Sequence, residues 1–554
     1  MPKPSAASSA QPTPTGGAFR RRWSGYEGIF FDEFATDSAW IREVGRINLP
    51  PLESCRAVVL HAEYRTHPAA RGRETPLPSL TCAVPGQPAQ LIRPGHTPWS
   101  VTLPLPADAA TRPATVTLRL GGVGFTNLLA WLGRVTGFGP WQRFRAQNKN
   151  RQLRLLRLTT ADGEVIYDFS NRHAPYAPAF ARRHARLGLN IVGFLSADLG
   201  IGESARAMVR AADAARLPTS LIELKLNVKT SRSDRTYGDR LQEDPAQPVS
   251  VFHLDPPAAR DIDHHHGKAF RAGRYNIGYW AWELPEFPDA WVNYCEYFDE
   301  IWCPSDFVRE AVAMQSPVPV LTMPHAIEVT PPAAPMNELR ARFGLPTDRL
   351  LFLFLYDLNS YSPRKNPTAV IEAFRRSGLA EEGAALVIKT HGAKGNETDL
   401  AALRAAVADL PGTHFIAETL SRADLTALEA ACDVFVSLHR SEGFGLAVAE
   451  CMALGKPVIA TDWSATAEFL DATNGCPVPA PLVELQTNVG PYAKGQRWAE
   501  PDLAAAATAM RRLAGDPALR TQLGEAARRT IAERFAPAVV GARYRRRLEA
   551  IAMR

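Results

Sequence analysis

The chain has 554 residues, 46% of them hydrophobic and 22% charged, a globular composition too long for one core and natural for two or three domains. Its 63 basic and 57 acidic residues leave a net charge of +6, too weak over this length to point to nucleic acid. Seven scattered cysteines without a CxxC pair speak against a disulfide framework or a zinc site, and no apolar run reaches the roughly 18 residues of a membrane span.

Residues 1–19 are mostly Pro, Ser, Ala and Gly with almost nothing to bury, and are expected to be disordered. The N-terminus lacks the apolar stretch of a signal peptide, so the expected location is the cytoplasm, with peripheral contact at the inner membrane left open. Residues 20–175 read as a β-rich accessory domain. Short runs such as SCRAVVLHAEY, WSVTLPLP and ATVTLRL alternate apolar and polar residues between Pro and Gly, the pattern of antiparallel strands with one buried face. A β-sandwich of jelly-roll type is expected. Between its strands, residues 124–158 mix Trp131, Phe138, Trp141 and Phe144 with Arg134, Arg143, Arg145, Lys149, Arg151 and Arg154. Such a stretch suits either an anionic bilayer or an insertion with packed aromatics and solvated arginines. The second is favoured, because the basic residues do not share one helical face.

From Leu187 onward the texture becomes strand, loop, helix, repeated. Two successive series predict an α/β architecture of two facing, doubly wound Rossmann-like domains, at 187–330 and 340–535. The Pro-rich segment 329–346 reads as a linker and hinge. Residues 536–554 read as a C-terminal helix, with a crossing back to the first domain left open.

The most informative string is HRSEGFGLAVAECMALGKPVIATDWSATAEF, residues 439–469. A strand runs into a loop with Gly443 and Gly445, and a helix starts near Leu446. Free amides of such a first turn bind phosphate without metal. Glu442 on the loop and Glu450 inside the helix can reach opposite ends of one ligand, although either carboxylate alone could be a solvated charge. A second glycine loop, Gly200-Ile201-Gly202, lies between a strand and a helix, where strand-to-helix packing would also call for glycine. His253 ends a strand and competes with Asp255 for one position. In YWAWELPEF, Trp282 could stack on a carbohydrate while Glu283 bonds its hydroxyls, with one of Trp280 and Trp282 facing the core. His439 reads as a hydrogen-bonding partner of the ligand. The run His264 to His266 cannot share one helical face, and no metal site is expected.

These strings resemble the retaining glycosyltransferases of family 4, which have the GT-B fold. The likeness rests on Glu442-x7-Glu450, on ALGKPVIAT, on the SPRKNP string ending at Pro367, and on WAEPD at Trp498 to Asp502. It spans residues 187–554 and is nearest to polysaccharide and O-antigen enzymes. It implies that Glu442 contacts the donor sugar, Glu450 the ribose, and the backbone of Phe444, Gly445 and Leu446 the diphosphate. Lys365, with Arg364 beside it, would stabilise the departing diphosphate, and Gly200 and Gly202 would lie near the donor phosphates. His253 would stand near the sugar. The family usually has Arg five positions before the lysine, where this chain has Ser360. His325 stands where the family often places Asn.

The expected function is therefore retaining transfer of a hexose, mannose or glucose, from a GDP- or UDP-linked donor to a saccharide or lipid-linked saccharide. No cofactor, metal or nucleic acid is expected. The competing reading is a carbohydrate-binding scaffold whose GT-B half is a relic. An epimerase or glycogen-type synthase on the same fold is a further alternative.

Overall fold

The computed structural model describes residues 26–552 apart from 33–34, 53–54, 66–78, 94–96, 111, 122–127, 129–131, 133–134, 138–152, 172–174, 178–179, 181–186 and 227–231. Contacts divide the chain into two units, Met1–Arg186 with Glu549–Arg554, and Leu187–Leu548.

The first unit is an antiparallel β structure. Its strands are β1 (Tyr26–Asp32), β2 (Ala35–Leu49), β3 (Ala57–Tyr64), β4 (Leu80–Ala83), β5 (Gln90–Ile92), β6 (Trp99–Pro104), β7 (Ala114–Leu120), β8 (Leu153–Thr160) and β9 (Val165–Asp168). They run in the order β5-β4-β7-β2-β8-β3-β6, with β1 on β2 and β9 on β8. The long β2 joins two halves, pairing with β7 through Val44–Leu49 and with β8 at Ala39. Alternate residues of β3 and β7 are buried, which is why these runs form strands with one face on a core of Val58, Leu60, Val116 and Leu118. One expectation needs correction. The run LRLLRLTT, read as the end of a solvated basic insertion, is the central strand β8, because Leu153, Leu155 and Leu158 enter the core and Arg154 is buried with them. The remaining aromatic and basic residues of that insertion, Trp131, Phe138, Trp141, Phe144, Arg134, Arg143, Arg145, Lys149 and Arg151, lie outside the described residues, as do residues 1–19.

The second unit holds two parallel sheets. One contains β10 (Leu189–Gly193), β11 (Thr219–Glu223), β12 (Val249–His253), β13 (Tyr275–Tyr279), β14 (Glu300–Cys303) and β15 (Val320–Thr322), in the order β11-β10-β12-β13-β14-β15. The other contains β16 (Leu351–Asp357), β17 (Ala385–His391), β18 (Thr413–Ile416), β19 (Val434–Ser437), β20 (Val458–Thr461) and β21 (Cys476–Val478), in the order β18-β17-β16-β19-β20-β21. Strands such as LNIVG and VFVS are buried at every position, as expected of sheets covered on both faces. Each sheet reverses its strand order once, between β10 and β12 and between β16 and β19. Ligands of doubly wound sheets bind outside the carboxyl ends of the strands at such switch points. This is the GT-B architecture, preceded by an antiparallel β region.

The segment read as a bare hinge is partly structured. Helix Met336–Arg342 packs Leu339 into the core of the second sheet, and Arg340 donates to the carbonyls of Ala431 and Arg349 and pairs with Asp433 at 2.8 Å. Helix Pro537–Ala552 returns to the first sheet. Tyr544 stacks on Trp302 at 5.5 Å, Arg547 pairs with Glu300, and Arg545 donates to the Ala215 carbonyl. Among the described residues no helix is long and apolar enough to cross a membrane.

Candidate functional site

A cleft of about 880 Å³ opens in the second unit, lined by residues of both sheets. From the first sheet come the loop after β10, with Asp198 and Leu199, the first turn of helix Gly200–Ala214, with Gly200 and Glu203, and the loops carrying Asp255, Glu283 and His325. From the second come Ser360, Arg364 and Lys365 after β16 and the stretch from Glu442 to Val448, with Glu450, after β19. Both switch points therefore face one cavity.

Local backbone geometry sets the charged groups. Tyr361 (φ +61°) and Asn366 (φ +56°) bracket the helical turn Ser362–Lys365, and Ser464 (φ +64°) follows β20. Left-handed non-glycine residues cost about 1–3 kcal/mol each and persist only where the surroundings hold them. Here they aim Arg364 and Lys365 at Glu442, whose own amide donates to Ser464 Oγ at 2.9 Å. Lys365 Nζ donates to Glu442 Oε1 at 2.5 Å, and Arg364 Nη1 lies 3.4 Å from Oε2. Burial opposes ionisation of Glu442, but Lys365 and Arg364 outweigh it and hold its pKa at about 2. Glu442 is thus held as an anion, which accepts hydrogen bonds and donates none. Arg364 also donates to the carbonyls of Ser441 and Ser360, so its charge stands beside Ser360.

Gly445 (φ +91°) starts helix Leu446–Ala453 without a side-chain cap, leaving its first-turn amides open to the cleft. A Cβ there would sit 2.5 Å from Thr466 Cγ2, so both conformation and space call for glycine. Gly443 accepts at its carbonyl from Ser305 Oγ at 2.7 Å, and Phe444, which lines the cavity, packs its ring edge-on to His325. Glu450 is buried, and Arg422 grips both its oxygens at 2.5 and 3.2 Å. Burial raises its pKa against that pull.

Four expected site residues are not where the sequence reading put them. His253 is fully buried beneath helix Gly200–Ala214, sharing a hydrogen bond with Ser204 at 2.9 Å and stacking on Tyr279, and does not line the cleft. Its competitor Asp255 does; enclosure by the protein, with the Glu283 carboxylate nearby, raises its pKa to about 6. Gly202 faces backbone rather than ligand, since a Cβ would meet the Phe194 and Ala197 carbonyls at 2.6 and 2.7 Å. Gly200 alone of that pair lines the cavity. Trp282 is 1% exposed, like Trp280 a core residue; its Nε1 donates to the Glu286 carbonyl and its ring packs on Phe287, Trp291 and Tyr492. His439 is buried behind Glu442, bonded to Thr466 Oγ1 at 2.9 Å, and touches the cavity nowhere. Glu283 does reach the cavity, where Tyr492 donates to it at 2.9 Å and Arg364 lies 3.7 Å away.

Residues 335–530, about a third of the chain, match the family described as glycosyl transferases group 1. The matched stretch lies wholly within the second unit. It contains Arg364, Lys365, Glu442, Glu450 and the open helix start. Among solved structures, the chain is similar to HepE of Anabaena in complex with UDP and glucose, at 13% identity and a TM-score of 0.48, over 66% of this chain and 100% of that one. Sucrose-phosphate synthase from Thermosynechococcus elongatus gives 15% identity and a TM-score of 0.48, over 65% and 97%. A glycosyltransferase from Rickettsia africae gives 14% and 0.46, over 66% and 97%. No curated protein matches the chain.

Some cleft residues escaped the sequence reading. Within the matched stretch these are Lys389 and Arg422. Opposite it, Glu203 is held at a pKa of about 2; burial alone would raise it, but Arg210 and Arg206 more than compensate. Arg422 carried a signal, since it follows the helix-capping Ser421, but nothing in the string SRADL ties it to Glu450.

Proposed function

We propose that the chain is a retaining glycosyltransferase that moves a hexose from a nucleotide-diphosphate donor to a hydroxyl of a saccharide or lipid-linked saccharide. The observation that carries this reading is the convergence of Lys365 and Arg364 on Glu442 beside the uncapped start of helix Leu446–Ala453. The match of this region to glycosyl transferases group 1 supports the same reaction class.

The reaction breaks the bond between the sugar C1 and the diphosphate oxygen, and negative charge grows on that oxygen. Lys365 and the first-turn amides after Gly445 meet this charge, and such preorganised donors lower the barrier without reorganising. The ionised Glu442 accepts from sugar hydroxyls and holds C1 in line with the acceptor. The acceptor oxygen bonds to C1 on the face the diphosphate leaves, and its proton passes to the departing diphosphate. Glu450, freed from Arg422, accepts from the ribose hydroxyls. Asp255 and Glu283 stand on the acceptor side.

The test is Glu442→Gln, with donor turnover and acceptor transfer assayed in EDTA beside a circular dichroism check of the fold. Transfer falls to background in a folded variant. A folded variant with full activity refutes the reading.

A further inference from the structure

One cation in the cleft has no task in the reaction above. Lys389, on β17, is 3% exposed yet lines the cavity. Its ammonium donates to the carbonyl of the adjacent Thr390 at 2.5 Å and forms no ion pair among the described residues. Glu418 and Asp357 act on it only through space. An ammonium has three donors, and burying one that is partly unmet is expensive unless something supplies acceptors. Burial pushes its pKa down to about 8, so the charged form still prevails at neutral pH.

Strand order says what would lie against it. The diphosphate site is the loop after β19, and Glu450 follows one helical turn later. In the sheet, β16 neighbours β19 and β17 lies beyond β16, two strand spacings or roughly 10 Å from the phosphate loop. Lys389 pairs in register with Leu355 of β16, and these two face the cavity together. The same cavity is lined by Leu420, Leu425 and Phe435, and by the polar Thr419, His391 and Arg422, whose guanidinium is held by Glu450. A cavity wall that sets Leu355, Leu420, Leu425 and Phe435 beside the buried ammonium of Lys389, a donor without a carboxylate partner among the described residues, suits a flat ring that presents one strong acceptor on the edge away from the ribose.

We infer that Lys389 reads the nucleobase of the donor, donating to a carbonyl on its far edge, and so admits uracil or guanine and disfavours cytosine and adenine. The inference rests on the transferase reading. Uracil and guanine present a carbonyl oxygen on that edge, whereas cytosine and adenine present an amino group, itself a donor that faces the ammonium unfavourably. The same lysine therefore recognises and excludes.

The experiment is calorimetric titration of the full chain and of Lys389→Met with UDP, GDP, CDP and ADP in EDTA. The wild-type protein binds UDP or GDP at least about tenfold more tightly than CDP and ADP. In Lys389→Met the favoured nucleotide weakens by about tenfold to a hundredfold, the loss expected for a charged hydrogen bond, while CDP and ADP hold their affinities. Lys389→Gln, a neutral donor, recovers part of the preference. A wild-type preference for CDP or ADP, or a uracil or guanine preference that survives in Lys389→Met, overturns the assignment and leaves nucleotide binding standing. Binding of none of the four overturns the transferase reading with it. The wild-type ranking decides alone if Lys389→Met does not fold.

Discussion

Lys365 and Glu442 stand 77 positions apart in the sequence and 2.5 Å apart in the cleft. Each comes from the loop at one side of the same switch point, so the ion pair closes the place where the strand order reverses. Replacing Lys365 with Met removes the charge that would meet the leaving diphosphate. Turnover is expected to fall by about 10²–10³, the usual effect of losing one preorganised donor, with a smaller change in KM. Steady-state kinetics with saturating donor checks this; an unchanged kcat places the lysine outside the chemistry.

The two glycines in the first turn of helix Gly200–Ala214 differ in kind. Gly202→Ala drives a methyl group into two carbonyls, whereas a Cβ at Gly200 meets nothing within 4 Å. Gly202→Ala is expected to destabilise the fold by about 1–3 kcal/mol. Gly200→Ala leaves the melting temperature nearly unchanged and acts on ligand affinity. Denaturation curves with donor titrations of both variants separate the roles, and equal stability losses contradict the distinction.

Trp282→Ala empties a core position and is expected to cost about 3–5 kcal/mol. Trp282→Phe keeps most of the packing and loses the bond to the Glu286 carbonyl, so acceptor affinity in that variant stays at the wild-type value. A selective loss of acceptor binding in a stably folded Trp282→Phe protein restores the stacking role.

Asp255 gives a pH signature. Its folded pKa of about 6 lies above the ordinary 3.8, because of enclosure and the Glu283 carboxylate. The folded state therefore holds a proton that the unfolded state has released between those values, and stability falls as pH rises through that window. Above about pH 6 the ionised group is a cost, and below about pH 4 it is neutral in both states. Asp255→Asn is expected to melt higher than wild type at pH 8 and to lose that advantage at pH 4. Parallel melts at the two values check it, and an advantage confined to acid pH reverses the sign.

Much of this architecture was legible because parallel strands buried on both faces read as unbroken apolar runs, and LLFLFLYDL and VFVSLH could hardly be anything else. The uncapped helix start at Gly445 was legible too, since a glycine that must adopt φ +91° leaves a mark in the string. What stayed hidden depends on partners distant in sequence. Arg422 grips Glu450 from 28 positions away, and Tyr492 reaches Glu283 across 209. His253, His439 and Trp282 carry the residue types of function, but their burial is set by helices that local pattern does not place. The strand β8 was concealed because Arg154 and Arg157 break its apolar run. Arg154 is buried nonetheless.

Helix Pro537–Ala552 has a bearing on how the chain is made. Glu300 is fully buried, and its guanidinium partner Arg547 arrives 247 positions later. Trp302, on the same strand, waits for Tyr544. Domains emerging from the ribosome commonly fold in order, first made first folded. Here the first parallel sheet holds a carboxylate without its counter-charge until the second has been synthesised and the helix has followed. The Rossmann half translated first is thus the one completed last, and a fragment cut at residue 330 would expose Trp302 and strand Glu300 without its cation.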